Sequence, residues 1–477
     1  MNTNIESSTK CCFVPEHEIM INSLTLENAE LKNKVSELTD QLSKNSSNSS
    51  KPPSSDGYSK PEPKSQRKKS GKKAGGQIGH KGETLEQVSN PDFIEIHKVS
   101  VCEKCGKDLE EHAPINHECR QEFELPITKP IVTEHKAEIK LCDQCAFITI
   151  AEFPENITQP VQYGPRVKAY STYFNQQQFI AFNRLQDVFK DCFSLPISQG
   201  SMVNFNKKLA EKIEPSIDAI KNNIISSPVA HFDESGMKVN GKLQWLHVSS
   251  TKELTYYIIH EKRGEIAMNE MGILPNFKGV ATHDHWAPYM NFNECDHSFC
   301  NAHHLREFEF AVDRYNQQWA VKIIKLLKQM NDTVSLSKKS GDLNLSKKII
   351  EKFENQYSKI LADGLDELPK LEESSVKKRG KKKQHKIKNL WDRMINNKKE
   401  TLLFLHDFNV EFTNNLSEQD VRMCKVKQKI SGTFRSSSGA NNFAKIRSYI
   451  STARKQGQNI IDCITNAFHG APFIPPH

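Results

Sequence analysis

A chain of 477 residues is too long for one ordinary hydrophobic core and predicts about three domains with connecting segments. Its 66 lysines and arginines outnumber its 58 aspartates and glutamates by only eight, but the excess is gathered into blocks. From Lys51 to Gly82 nine basic residues face two acidic ones, from Val376 to Lys388 eight face none, and from Asp420 to Gln458 nine face one. Such clustering points to a polyanionic partner, with nucleic acid the leading candidate. No apolar run of about 18 residues occurs, and the start MNTNIESSTKCC lacks a charged segment leading into an apolar one, which argues against a membrane span and a secretory leader.

Ile21, Leu24, Asn28, Leu31, Val35, Leu38 and Leu42 alternate at spacings of three and four, the a/d seam of a short coiled coil. Asn28 falls at an a position, where an amide favours two in-register strands. An amphipathic helix packed within its own chain is the alternative. Residues 45–82 are too poor in apolar side chains to offset the entropy of ordering, and are expected to form a basic linker or arm.

Of the twelve cysteines, four form two C-x-x-C pairs, Cys102 with Cys105 and Cys142 with Cys145, separated by 36 residues. In a reducing compartment that pattern favours metal over disulfides, and four thiolates suit tetrahedral Zn²⁺ in a structural ribbon. His117 and Cys119 lie between the pairs as substitute ligands. Between Phe182 and Ile213 two helical segments flank a break at Ser194-Leu195-Pro196, a helix-turn-helix pattern that also occurs in proteins without DNA contacts.

From Pro228 the apolar period changes to alternation. PVAHFDES predicts a strand ending at Asp233, Asn240-Gly241 a tight hairpin turn, and KLQWLHVSST and LTYYIIH two further strands. A helix around Gly264 to Met271 and a fourth strand in NFKGVATHDHW, ending at Asp284, complete the order β-β-β-α-β of a ribonuclease H-like mixed sheet. There the first and fourth strands are neighbours, and carboxylates at matching ends suit metal ions spaced by roughly 4 Å. A third carboxylate is expected from a later helix in NNLSEQDVRMCKVKQK, with Asn414 and Asn415 as capping residues and Glu418 as the acid. Arg422, Lys425 and Lys429 continue its stripe as cations for a phosphate backbone, and Asp420 points away. Taken singly, each acid also reads as an ordinary strand-end or salt-bridging residue.

GGQIGHKG at 75–82, HFDESG at 231–236, HDHWAPY at 283–289, CNAHHLRE at 300–307, NNLSEQDVR at 414–422 and the tail KISGTFRSSSGANNFAKIRSYISTARKQGQN resemble the IS66-type family of bacterial insertion-sequence transposases over nearly the whole chain. Departures are small: Ser235 stands where the family often has Thr, and Ser417 and Gln419 where it has Ala and Arg.

The resemblance implies that Asp233, Asp284 and Glu418 are a DDE triad. They would hold two Mg²⁺, or Mn²⁺, for DNA cleavage and strand transfer. It also implies DNA-binding roles for the zinc and helix-turn-helix regions. Expected DNA contacts are Arg306, Arg422, Lys425, Lys429, Arg435 and, in the arm, Lys68, Lys69, Lys72 and Lys73. The implied partners are double-stranded DNA, as element ends and target, a homodimer or higher oligomer, and accessory element-encoded proteins, in a cytoplasmic, nucleoid-associated setting.

The expected organisation is multidomain α+β. It comprises a coiled-coil helix at 1–44, the arm at 45–90, a zinc ribbon at 91–155 and a helix-turn-helix-like region at 160–226. A ribonuclease H-like core split between 227–310 and 406–460 follows, with a helical insertion carrying a basic loop at 311–405 and a tail at 461–477.

Secondary expectations attach to neighbouring residues. His283 and His285 flank Asp284 as simple hydrogen-bonding neighbours or as phosphate contacts. Trp286 and Tyr289 read as core residues or as stacking platforms for an unpaired base. Cys300, His303 and His304 have a spacing suited to a second metal with Cys295. The rival readings are a ribonuclease H-like structure-specific DNA nuclease and a non-catalytic DNA-binding derivative.

Overall fold

The computed structural model describes residues 15–45, 48–49, 85–369 and 384–476. Most of the basic arm, with Lys68, Lys69, Lys72 and Lys73, and the insertion's basic loop from 376 to 383 lie outside these residues. No helix among the described residues is long and apolar enough to cross a membrane.

The centre of the molecule is a five-stranded mixed sheet. Its strands are β3 (Val229–Val239), β4 (Lys242–Ser250), β5 (Thr255–His260), β6 (Val280–His283) and β7 (Asp296–Phe299), in the spatial order β5-β4-β3-β6-β7. Strands β3, β4 and β5 form the antiparallel meander, while β6 and β7 run parallel to β3. Asn240 and Gly241 both adopt positive φ (51° and 74°), which closes Val239 on Lys242 in a two-residue turn. The return to the sheet after α6 (Glu265–Met271) passes Gly279, where a Cβ would meet the Pro228 carbonyl oxygen at 2.5 Å. Only glycine lets β6 come in beside β3, where Val280 N–H donates to that same oxygen.

Two expectations change here. Strand β3 does not end at Asp233 but continues to Val239, because Glu234 to Val239 stay paired with β4. The edge strand β7 was not foreseen: four residues between short turns carry too little pattern to declare themselves.

Alternation along β3 sorts its side chains. Ala230 and Phe232 join one core with Phe277, Tyr289, Ile446 and Ile450, and Met237 and Val239 point to the other face. On that second face Met237, Leu246, Val248 and Tyr257 meet Val421 and Cys424 of α12 (Asn415–Ser431) and Phe443 of α13 (Ser437–Lys455). The exposed edge of β5 is closed by hydroxyls of α13. Ser448 accepts the Tyr257 N–H at 2.9 Å, and Thr452 accepts the Thr255 N–H at 3.1 Å and donates to the Thr255 carbonyl at 3.3 Å.

The two halves flanking the sheet have their own cores. Upstream, α2 (Pro165–Thr172), α3 (Phe182–Phe193) and α4 (Gln199–Lys212) pack around Leu185, Phe189, Met202 and Phe205; Ser194, at φ 50°, turns α3 away from α4. Downstream, α7 (Asn301–Tyr315), α8 (Gln318–Lys339), α9 (Lys347–Asp363) and α10 (Lys386–Asn396) pack around Phe308, Trp319, Tyr357 and Met394. At the N-terminus, α1 (Pro15–Ser43) is one continuous helix; Ile21, Leu24, Leu31, Val35, Leu38 and Leu42 lie exposed along it, Leu42 at 87 %. Its C-terminal end docks through Asp40, which accepts from Tyr315 Oη and, at 3.2 Å, from Arg314 Nε.

Asp420 fastens α12 to the sheet, as its predicted orientation away from the Glu418 stripe requires. Its carboxylate accepts from Ser250 Oγ (2.6 Å), Thr255 Oγ1 (3.1 Å) and Lys455 Nζ (2.8 Å). Removing it takes the acceptor from two hydroxyls and leaves the largely buried Lys455 ammonium with only the Thr251 and Leu254 carbonyls, so Asp420→Ala should lower unfolding free energy by about 3 kcal/mol in urea denaturation. Unchanged stability would show that the helix is held by apolar packing alone.

Candidate active site

Strands β3 and β6 pair in parallel with His231 opposite Thr282. Two residues further on, the same count along both strands reaches Asp233 and Asp284, which therefore emerge side by side at one end of the sheet. Each carboxylate is oriented by a backbone donor: Glu234 N–H at 2.8 Å to Asp233 Oδ1, and Trp286 N–H at 3.0 Å to Asp284 Oδ1.

Asn414, just before α12, decides where Glu418 goes. It stands at the cap position, yet its side chain does not cap the helix as expected. Instead Asn414 Nδ2 donates to the Phe232 carbonyl at 2.7 Å, and its Oδ1 lies 3.0 Å from His231 Nδ1. Its N–H reaches Cys300 Sγ at 3.1 Å. This tether brings the first turn of α12 to β3 one residue before Asp233, and Glu418 lies in that turn.

The three carboxyls feel one another. Burial, then the negative charges of Glu234, Asp284 and Glu418, push Asp233 well above the usual carboxylate range. Burial raises Asp284, against the opposing pull of the Trp286 N–H and the Arg263 and Arg393 charges. Burial also raises Glu418, with Asp284 adding to it and Arg306 and Arg422 opposing. The three do not close into one set with oxygens within 4.8 Å, a spacing that carboxylates serving two ions roughly 4 Å apart do not need.

A fourth acid, Glu234, faces the opposite side of β3 and is already satisfied. Arg263 donates to its Oε1 through Nη2 (2.6 Å) and Nε (3.0 Å), and Tyr289 Oη donates to its Oε2 (2.6 Å). Burial and the nearby Asp284 still raise it to about 6. Arg263 is itself clamped, its guanidinium 4.0 Å from the Trp286 ring centre and 4.9 Å from that of Trp245. The sequence reading missed this Glu234–Arg263–Trp286 bracket. Its one signal was a second acid beside Asp233, and the partners lie 29 to 55 residues away.

The remaining candidates separate. Tyr289 is core, 2 % exposed, and stacks on His283 at 4.4 Å, so a base-stacking role does not fit it; Trp286 covers Arg263. His283 is fully buried, its Nε2 2.9 Å from His297 Nδ1, and His285 Nε2 lies 3.7 Å from Glu307. Lys425 leaves the expected cationic stripe: it is partly buried and donates to the Gly236 carbonyl, because α12 packs that flank against β3. Arg422, Lys429 and Arg435 are exposed, while Arg306 is partly buried with its Nε unpartnered.

The two cysteine pairs form the same local turn twice. Cys102 N–H donates to the Lys107 carbonyl and Gly106 N–H to Cys102; Cys142 N–H donates to Phe147 and Ala146 N–H to Cys142. In each turn backbone N–H groups, from Cys105 and Lys104 or from Cys145 and Gln144, lower the first thiol below its usual range. The strands around the second turn, β1 (Ile139–Leu141) and β2 (Ile148–Ile150), are exposed, and so are Phe93, Phe123, Ile127 and Ile131. Among the described residues the four sulfurs do not converge within 4.8 Å.

An acid-centred, mixed α/β core joined to basic helices is the build of a DNA-processing enzyme. Residues 160–442 match the family model described as Transposase IS66 family, and the chain belongs to that family. Residues 8–86 match a family of unknown function (DUF6444), and no match was found among curated proteins.

Burial pulls His283 down to about 3, so the unfolded chain, titrating near 6.5, binds a proton that the native state refuses. That contribution is complete above pH 6.5 and drains away as pH falls towards 3. Between pH 7 and 5 wild type should therefore lose about 2 kcal/mol more stability than His283→Phe. Parallel urea curves at the two pH values check this, and equal losses would refute the buried neutral imidazole.

Proposed function

We propose that this transposase cuts and rejoins DNA phosphodiester bonds at the ends of its element, with Asp233, Asp284 and Glu418 as metal-holding acids of a ribonuclease H-like core. The observation that carries the reading is the register of β3 with β6, which sets Asp233 beside Asp284 while the Asn414 tether brings Glu418 to them. The order β5-β4-β3-β6-β7, with two antiparallel and two parallel neighbour pairs, supports the ribonuclease H-like assignment.

The donor set fits magnesium. Three mutually repelling carboxyls, one with a buried and unpartnered Oε1 on Glu418, would be neutralised by a hard cation that prefers oxygen. When bound, two such ions supply Lewis-acid stabilisation of the leaving oxygen and a more acidic water or 3′ hydroxyl. The protein's own share is positioning. The N–H groups of Glu234 and Trp286 fix one oxygen of each aspartate, and the Glu234–Arg263–Trp286 bracket holds the turn that carries Asp284. Arg422, 72 % exposed in its side chain and 3.8 Å from Glu418, stands where a phosphate would approach, with Lys429 and Arg435 further along.

The paired cysteine turns are proposed as the halves of one Zn²⁺ ribbon with Cys102, Cys105, Cys142 and Cys145 as ligands. What supports it is the repeated N–H donation to the first thiol of each pair and the scarcity of buried apolar side chains around them. The exposed a/d seam of α1 supports pairing with a second copy. DNA binding by the α3–α4 pair rests on its helix-turn-helix form.

In a cleavage and joining assay with the element's own ends and Mg²⁺, Asp233→Ala, Asp284→Ala and Glu418→Ala should each lose activity by about three orders of magnitude while retaining DNA binding. Full activity in any one removes that residue from the centre. Chelation of the purified chain should make residues 91–155 the first to be cut by protease, and an unaltered digestion pattern would argue against structural zinc.

A further inference from the structure

Among the described residues one group of mixed metal-ligating side chains converges: Cys300, His303 and Glu418, whose ligand atoms all lie within 4.8 Å of one another. Cys300 immediately precedes α7 and His303 sits in its first turn, so their three-residue spacing puts both on one side of the helix. Glu418 comes from the first turn of α12. The expected partners of Cys300 and His303 differ from these. Cys295 lies 3.9 Å from His297, and His304 is fully buried between Phe299 and Phe308, because helix and sheet turn both residues inward.

His303 Nδ1 and Glu418 Oε1 face each other at 3.9 Å, and both are buried without a hydrogen-bond partner. Buried polar atoms are nearly always paired, and 3.9 Å is beyond hydrogen-bond reach, so neither atom satisfies the other. Cys300 Sγ, 1 % exposed as a residue, accepts the Asn414 N–H at 3.1 Å, a bond that a thiolate ligand keeps and that orients the sulfur.

We propose that Cys300, His303 and Glu418 bind a thiophilic divalent cation of the zinc class, at a site that shares Glu418 with the cleavage centre. Sulfur, imidazole nitrogen and carboxylate oxygen, with a fourth position open, are a tetrahedral zinc donor set, whereas magnesium does not take a thiolate. Tetrahedral bonds of about 2.0–2.1 Å put nitrogen and oxygen about 3.3 Å apart, so the 3.9 Å separation closes by only about 0.6 Å. As the sulfur–metal bond forms, the thiol proton passes to solvent. Sharing Glu418 rests on the cleavage reading; the binding of the ion does not. An ion held here draws on the carboxylate that the magnesium centre needs.

The test compares full-length wild type with Cys300→Ser, both stripped of metal and titrated with Co²⁺ as a spectroscopic probe. The paired cysteines at 102–105 and 142–145 are common to both, so the difference spectrum reports Cys300. Expected is a thiolate-to-cobalt charge-transfer band in that difference, displaced by Zn²⁺ but not by millimolar Mg²⁺. In His303→Ala and Glu418→Gln the Co²⁺ affinity behind the band should fall by about tenfold or more. A flat difference spectrum overturns the proposal. Should Cys300→Ser fail to fold, undiminished Co²⁺ affinity in His303→Ala overturns it instead. Asp233→Ala should keep the band while losing cleavage, so failure of this site and failure of the cleavage reading are separately visible.

Discussion

The parallel pairing of β3 with β6 is the constraint on which the rest depends. Parallel neighbours lie about 4.8 Å apart and keep the same direction, so two acids reached by equal counts from a paired position must emerge together. The price is electrostatic: Asp233 feels burial and the charges of Glu234, Asp284 and Glu418 at once. Such repulsion is relieved by a proton or by a bound cation, and relief by an oxygen-seeking metal ion is the reading proposed for this centre.

Holding the third acid is a separate task, because α12 is far from β3 in sequence and belongs to the chain beyond the insertion. Asn414 and Asp420 accomplish it from opposite ends of one and a half helical turns. Asn414 bonds the backbone of Phe232, and Asp420 bonds Ser250, Thr255 and Lys455. Glu418 sits between the two anchors, one helical turn on from Asn414. The same geometry brings it near Cys300 and His303 at the start of α7.

Much of the sheet was readable in the sequence. Asn240-Gly241 requires two positive φ values and has them, and the alternation that starts at Pro228 marks a strand, both faces of which meet a core. The strand limits were less readable: β3 outlasts Asp233 because its partner β4 keeps supplying hydrogen bonds, which single-strand periodicity does not register. Membership of the IS66 transposase family rests on runs such as HFDESG and NNLSEQDVR, and the family match covers residues 160–442. The expected cationic stripe lost Lys425 for a tertiary reason, since helical spacing fixes a face but not what packs against it.

By itself the sequence determined which acids are candidates, which segments alternate or turn, and where the thiols pair, because these depend on side-chain chemistry and on spacing within a few residues. Only the tertiary structure decided that Arg263, lying against Trp245 and Trp286, would bind Glu234, that Asn414 would tether rather than cap, and that Glu418 would join Cys300 and His303. Those contacts span up to 183 residues of chain, and their partners are chosen by packing, which local pattern does not encode.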